Sequence, residues 1–404
     1  MISTRRQRIV VIGHSSTLRL GIVRAAGELG CEITVVVQAP YWPFTRKMRK
    51  ARPYDCYSKY ISQVYYCAAG DGEGLVRLLL DRCKVSGQKA ILFPTSDLSA
   101  VTIDDNKDRL STYFVFPHLV DSSETIRGWM DKSRQKDLAR RLGLSVPESK
   151  IVEIRDGSYA IPEGIRYPCF TKALVSIDGG KEYFRRCDNR EELKQTLDAI
   201  RKEVRILVED YKEIETEYAV LGFLSGTDVV IPGVIRLICQ TASHFGVAMK
   251  GEVLPVDGFE EILDAFKSFV LQIGFVGVFD IDFYESGGEM YFGEMNLRFG
   301  GSGYAVTRSG VNLPAMLIRH FRGEDMCGMQ DRVLTVASFV NERMCEDDWV
   351  DKKITTEEYN RILSSSDICF VRSAEDPAPY RMYRLQHRFD VIKKSVKPLL
   401  KRFM

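Results

Sequence analysis

The sequence predicts an α/β and α+β chain: a doubly wound parallel sheet at the N-terminus, followed by a mostly antiparallel region built around one acidic hairpin. Two observations carry this. Arg8–Gly13 (Arg-Ile-Val-Val-Ile-Gly) is a short apolar run ending in glycine, residues 16–29 read as a helix stopped by Gly30, and residues 31–37 form a second apolar run. Strand, helix and strand with short joints is how a parallel sheet begins. Further on, residues 280–298 read Asp-Ile-Asp-Phe-Tyr-Glu-Ser-Gly-Gly-Glu-Met-Tyr-Phe-Gly-Glu-Met-Asn-Leu-Arg. Apolar-rich runs at 276–284 and 290–295 flank Ser286-Gly287-Gly288, which predicts a β-hairpin.

Taken in order, residues 63–67, 90–93 and 114–117 add strands, and 72–83 a helix. Gly13-His14-Ser15 lacks the G-x-G-x-x-G spacing of a dinucleotide site. Pro94-Thr95-Ser96-Asp97 follows a strand, at the sheet end where such folds bind ligands, so His14 and Asp97 read either as substrate contacts or as helix caps. Residues 122–142 read as one charged helix carrying Asp131-Lys132, and Gly143 to Pro147 turns the chain. Strands are expected at 150–154 and 168–175, where Lys172 sits among apolar neighbours and either snorkels or meets an anion. The loop at 176–181 contains Gly179, Gly180 and Lys181. Glycines there let backbone N–H groups approach phosphate oxygens, and the loop gains weight beside Lys172. A helix at 191–202, strands at 205–210, Thr216–Leu224 and 229–237, an irregular loop at 243–252 with His244 and Lys250, and a helix at 259–273 lead into the hairpin. Beyond it come a strand at 333–342, a helix at Thr356–Ser364 and a strand at 368–372. The expected domain limits are 1–118, 119–225, 226–330 and 331–404.

Side chains alternate faces along a strand, so Asp280 and Asp282 point to one side of the first strand, and Glu294 and Asn296 likewise share a face on the returning strand. Pairing across the turn brings an acid opposite Glu294 and Asn296, with Arg298 close by. Three or four oxygen ligands of this kind suit a hard cation such as Mg²⁺, held together with substrate phosphates. The alternative is a solvated acidic hairpin, but these acids interrupt apolar runs, where unpaired charge is costly. Hydrophobic content of 45%, charged content of 28% and a formal charge of +2 describe an ordinary globular chain with no electrostatic signature for nucleic acid. Ten cysteines are scattered without C-x-x-C spacing, and no apolar run is long enough to span a bilayer, so a reducing, cytoplasmic setting is expected.

The order Lys132, Lys172, glycine loop, Glu209-Asp210-Tyr211, Glu217, Asp282, Glu294-Met-Asn-Leu-Arg298 resembles the ATP-grasp superfamily over roughly residues 120–325. Within it the chain is most similar to carboxylate–amine ligases related to D-aspartate ligase, through Phe279-Asp-Ile, Glu294-Met-Asn-Leu-Arg-Phe-Gly-Gly, Thr307 and Gly310-Val-Asn-Leu. The resemblance implies a Rossmann-like domain followed by a two-lobed ATP-grasp fold that uses ATP with Mg²⁺ or Mn²⁺. Lys132 and Lys172 would neutralise phosphates, with Gly179, Gly180 and Lys181 closing over them. Glu209, Asp210 and Tyr211 would bind adenine, and Glu217 the ribose. Glu294 and Asn296 would hold metal with Asp282 or Asp280: Asp282 lies 12 residues before Glu294, the spacing of many members of the superfamily, whereas the D-aspartate-ligase pattern aligns Asp280. Arg298 and Lys172 would be catalytic. The implied reaction joins a carboxylate to an amine (amino acid, peptide or cell-wall precursor) through an acyl phosphate, releasing ADP and phosphate. Alternatives are a bicarbonate-using carboxylase or carbamoyl-phosphate-type enzyme, and an ATP-binding protein without turnover. A homodimer is left open. The basic tail at 391–404, with Lys393, Lys394, Lys397, Lys401 and Arg402, reads as a solvated terminal helix, membrane contact being the second reading.

Overall fold

Arg8–Gly13 (β1) buries its apolar residues completely, as an inner strand covered on both faces must. In the computed structural model, which describes residues 6–39, 52–85, 87–178, 180–242 and 247–387, it is joined by Glu32–Ala39 (β2), Ile61–Ala68 (β3), Ala90–Pro94 (β4) and Phe114–Val115 (β5). Gly179, His244 and the tail at 391–404 lie outside the described residues. The sheet is all parallel, in the order β3-β2-β1-β4-β5. The strand order reverses between β1 and β4, so the crevice at their carboxyl ends lies beside His14 and Asp97.

Two buried ion pairs fix the helix Ser16–Gly27 that follows β1. Arg19 pairs with Asp55 at 2.9 Å and donates to the Gly13 carbonyl at 2.7 Å. Arg24 donates to Asp376 and to the carbonyls of Phe370 and Val371, clamping the C-terminal segment onto this helix. The expected helix at 72–83 is α-helical over Gly72–Leu78 and widens to a π turn over Leu79–Cys83. The single helix expected at 122–142 is two, Ile126–Trp129 and Lys132–Arg141. Asp131 separates them: its backbone is extended and its carboxylate caps Ser133 and Arg134.

Ser149–Ile154 (β7), Cys169–Ala173 (β8), Arg185–Cys187 (β9) and Val204–Asp210 (β10) form a small antiparallel sheet in the order β7-β10-β8-β9. A short strand, His118–Leu119 (β6), precedes it. One face of the small sheet packs on Leu193 and Leu197 of the helix Arg190–Asp198.

The large sheet comprises Thr216–Leu224 (β11), Val229–Val230 (β12), Val234–Gln240 (β13), Ala248–Leu254 (β14), Phe275–Ser286 (β15), Glu289–Asn296 (β16), Ala337–Val340 (β17) and Ile368–Cys369 (β18). It runs β16-β15-β11-β13-β14-β17-β18, with β12 on β11 and β6 on β15. The strand expected at 229–237 breaks where Pro232 has no N–H to give the ladder. Ala248–Leu254 is a strand where an irregular loop was expected. Gly251 lets the Phe339 ring lie against the backbone, 2.5 Å from where a Cβ would stand. The hairpin turn is Gly287-Gly288, with φ of +62° and +75°, a conformation glycine adopts without strain. Behind the hairpin, the helix Glu260–Ile273 buries Phe266 and Phe269 against Phe283 and Phe292. Among the described residues no helix is long and apolar enough to cross a membrane.

Candidate functional site

Hairpin register sets the first part of the site. Asp280 lies opposite Asn296 and Asp282 opposite Glu294, after which the pairing shifts. Gly293 makes that shift possible, because a Cβ there would stand 2.8 Å from the Asp282 carbonyl oxygen. The Asn296 amide donates to Asp282 at 3.5 Å.

Lys132 opens its helix, and its N–H donates to the Leu174 carbonyl, so the end of β8 fixes where the helix starts. Its Nζ lies 2.7 Å from Glu294 Oε2 and donates to Ser176 Oγ at 2.7 Å. One ammonium group thus joins the small-sheet turn to the hairpin. On β8 and β10, Lys172 pairs with Leu207 and Phe170 with Glu209, so Lys172 and Glu209 are diagonal neighbours on one face. Lys172 Nζ lies 2.8 Å from Glu209 Oε1, and Lys136 holds the other oxygen.

A carboxylate between two ammonium groups shapes the electrostatics. Burial alone would raise the Glu209 carboxyl, but Lys172 and Lys136 outweigh it and hold it at about 2. Burial pushes Lys136 down to about 8 against the pull of Glu209, because that one carboxylate is shared with Lys172. Lys132 likewise holds Glu294 at about 2 against burial. The Glu209 shift has a testable sign. The unfolded carboxyl, near 4.5, takes up its proton first, so this stabilisation is present above that pH and drains away as pH falls towards 2. It amounts to roughly 3 kcal/mol. Urea unfolding between pH 5 and 2.5 is expected to show this loss in the native chain and not in Glu209→Gln. Equal pH slopes would contradict it.

Beyond the hairpin's end, Arg298 Nε donates to Asp97 Oδ1 at 2.6 Å and Nη2 to Asn296 Oδ1 at 3.4 Å, and Nη1 lies 4.0 Å from Asp280. Asp97 is the first residue of the helix after β4, so this pair ties the hairpin to the switch point of the parallel sheet. Burial, with Glu294 and Asp97, pushes the Asp280 carboxyl up to about 6 against Arg298. Burial also lowers His14, with Arg19 and Arg298 adding to it. Gly300 is needed here: a Cβ would stand 2.4 Å from Asp280 Oδ2. Gly300→Ala is expected to cost about 1–3 kcal/mol in chemical denaturation, as overpacking does. No loss would mean the Asp280 side chain moves freely.

Lys132, Lys172, Glu209, Asp210, Tyr211, Glu217, Asp282 and Glu294 line a cleft of about 500 Å³ between the small sheet and the large one. Glu217 accepts from Gln240, Asp210 pairs with Arg166, and the Tyr211 N–H donates to Pro168. Phe170, Phe184, Ile214 and Ile238 give the cleft apolar walls. Asp280, Asn296 and Arg298 lie outside this lining, towards Asp97. Gly180 and Lys181 belong to the short helical turn Gly180–Tyr183.

The expected metal set divides. Among the described residues no three His, Cys, Asp or Glu side chains are gathered to hold a metal ion. Glu294 is turned to Lys132, and Asp280 lies by Arg298. Asp282, Glu294 and Asn296 remain neighbours, and their hard oxygens fit a divalent cation that takes its other ligands from phosphate. Glu209, expected at adenine, has both oxygens held by lysines. Lys136 and Gln240 were not singled out from sequence. Lys136 lies one helical turn after Lys132, a spacing that could have revealed it.

Residues 137–314 match the family model described as "ATP-grasp domain". Curated relatives include carbamoyl phosphate synthase large chains from Gemmatimonas aurantiaca, 23% identical over 225 residues (52% of this chain, 19% of that one), and from Clostridium beijerinckii, 28% identical over 184 residues (42% of this chain, 16% of that one). The chain spans about a fifth of the length of the curated relatives it matches. Similar solved structures include the N5-carboxyaminoimidazole synthetase of Staphylococcus aureus (TM-score 0.60, 15% identity, 88% of this chain and 87% of that one). Another is the L-amino acid ligase of Bacillus licheniformis (TM-score 0.59, 16% identity, 83% of this chain and 80% of that one). At these identities the likeness is one of fold: a parallel sheet followed by the two-lobed ATP-grasp arrangement.

Proposed function

We propose, from the ATP-grasp domain over residues 137–314, that this protein is an ATP-dependent carboxylate–amine ligase of the kind to which D-aspartate ligase belongs. The observation that carries the reading is the single cleft where Lys132 and Lys172 meet Glu294 and Asp282 beneath apolar walls. A carboxylate is a poor electrophile, and phosphorylation turns it into an acyl phosphate that an amine can attack. Positioning and charge neutralisation dominate such phosphoryl transfer, which is why the site is built of lysines, an arginine and acids. On this reading Lys132 turns from Glu294 to the nucleotide's phosphates, and Glu209, held from its other side by Lys136, keeps Lys172 at the cleft wall within reach of them. Gln240 fixes Glu217 for the ribose hydroxyls. Asp282, Glu294 and Asn296 would hold the divalent cation, whose chemistry is to neutralise phosphate charge. Arg298, poised by Asp97, faces the crevice at the switch point and stabilises the acyl phosphate. Small carboxylates and amines, amino acids among them, are the proposed substrates.

A second reading takes bicarbonate as the phosphoryl acceptor, favoured by the similarity to carbamoyl phosphate synthase large chains. ADP release measured across a panel of amino acids, with and without bicarbonate, separates the two. ADP formation that needs both a carboxylic acid and an amine supports the ligase. Formation that needs bicarbonate and no amine supports the second reading.

A further inference from the structure

Cys169 and Cys187 are directly paired across β8 and β9, both fully buried and both free thiols. Residues opposed in an antiparallel pair have Cα atoms about 4.5–5.5 Å apart, within the roughly 4.4–6.8 Å that a disulfide spans. Cys187 Sγ also lies 3.5 Å from Thr196 Oγ1. The hydrogen bond from Cys169, with a further one from Thr196, lowers the Cys187 thiol against burial, favouring the thiolate that reacts, and Cys169 is correspondingly raised. β9 is a three-residue edge strand whose one ladder partner among the described residues is β8, and such an edge opens more readily than the sheet interior. Between the two cysteines runs the stretch with Lys172, Ser176 and Phe184, which borders the cleft.

We propose that Cys169 and Cys187 are a redox modification site, a dithiol that hydroperoxides convert to a cross-strand disulfide clamping β9 to β8. The Cys187 thiolate attacks a peroxide oxygen and the O–O bond breaks. With hydrogen peroxide and one proton this gives a sulfenic acid and water. The Cys169 sulfur then attacks Cys187 Sγ. The S–S bond forms, the S–O bond breaks, and hydroxide leaves as water with the Cys169 proton. Overall two thiols and one hydrogen peroxide give one disulfide and two waters; sulfur is oxidised and peroxide oxygen reduced. A thiol reductant reverses the step.

The test uses the native chain with the Cys187→Ser variant beside it. Each is reduced, treated with hydrogen peroxide, then unfolded in alkylating agent and mapped by mass spectrometry. The expected result is a peptide linking Cys169 to Cys187, lighter by two hydrogens, restored by dithiothreitol and lost in Cys187→Ser. Amide exchange at Arg185–Cys187 is expected to slow by about tenfold in the oxidised form. Cys169 and Cys187 both remaining alkylatable when the exposed Cys327 has been oxidised would overturn the proposal, as would a disulfide from either to some other cysteine.

Discussion

Arg298→Ala is expected to lower ATP-dependent product formation by roughly 10³-fold, the scale seen when a preorganised cation or donor is removed from a transferring phosphoryl or acyl centre. The guanidinium is half-buried among Asp97, Asp280 and Asn296, and Asp97 holds its Nε at 2.6 Å. It is oriented before substrate arrives, so no reorganisation is needed as charge develops. Two controls separate chemistry from tethering. Asp97→Ala removes the tie to the parallel sheet and leaves the cation; its loss is expected to stay within about tenfold if orientation alone is affected. Arg298→Lys keeps the charge but not the planar fork, and is expected to recover only part of the rate. Steady-state kcat and KM decide the matter. Equal losses in Arg298→Ala and Asp97→Ala would make the pair a structural tie alone.

Glu294→Ala is expected to lower turnover by about 10²–10³-fold while changing nucleotide affinity far less. Glu294 holds Lys132, and its carboxyl is kept at about 2 by that ammonium group. Removing the acid frees Lys132 to meet phosphate, which offsets the loss of a cation ligand in the binding equilibrium but not in the chemical step. Calorimetric titration with ATP and magnesium, run beside turnover, measures both effects. Turnover within threefold of the native chain would remove Glu294 from the site.

The hairpin was legible because its signals are local. Period-two alternation, a Gly-Gly turn and the acids themselves mark the two strands and their turn, but a regular register counted from that turn sets Asp282 opposite Gly293, and only the bulge at Gly293 brings it opposite Glu294. The parallel sheet was legible for the same reason, each buried strand being a short apolar run. Breaks were harder to see. Asp131 looks like one more charge inside a helix until its carboxylate is seen capping two N–H groups. Ala248–Leu254 hides its alternation behind Lys250, Gly251 and Glu252, and Gly251 is there because Phe339 needs the space. Least legible were contacts between distant segments. Lys136 on Glu209 spans 73 residues, and Arg298 on Asp97 spans 201. Local spacing says nothing about such pairs. They depend on how the small sheet, the large sheet and the parallel sheet come together, so the sharing of Glu209 between two lysines emerges only from the assembled fold.

Isotope transfer tests the central claim most directly. A carboxylic acid that supports ADP release, labelled with ¹⁸O in its carboxyl group, is incubated with ATP, magnesium and the amine, and the released phosphate is analysed by mass spectrometry. An acyl phosphate formed in this cleft places one carboxyl ¹⁸O in the phosphate, with ADP as the nucleotide product and an amide as the organic one. Unlabelled phosphate, or AMP and pyrophosphate in place of ADP, would contradict the account.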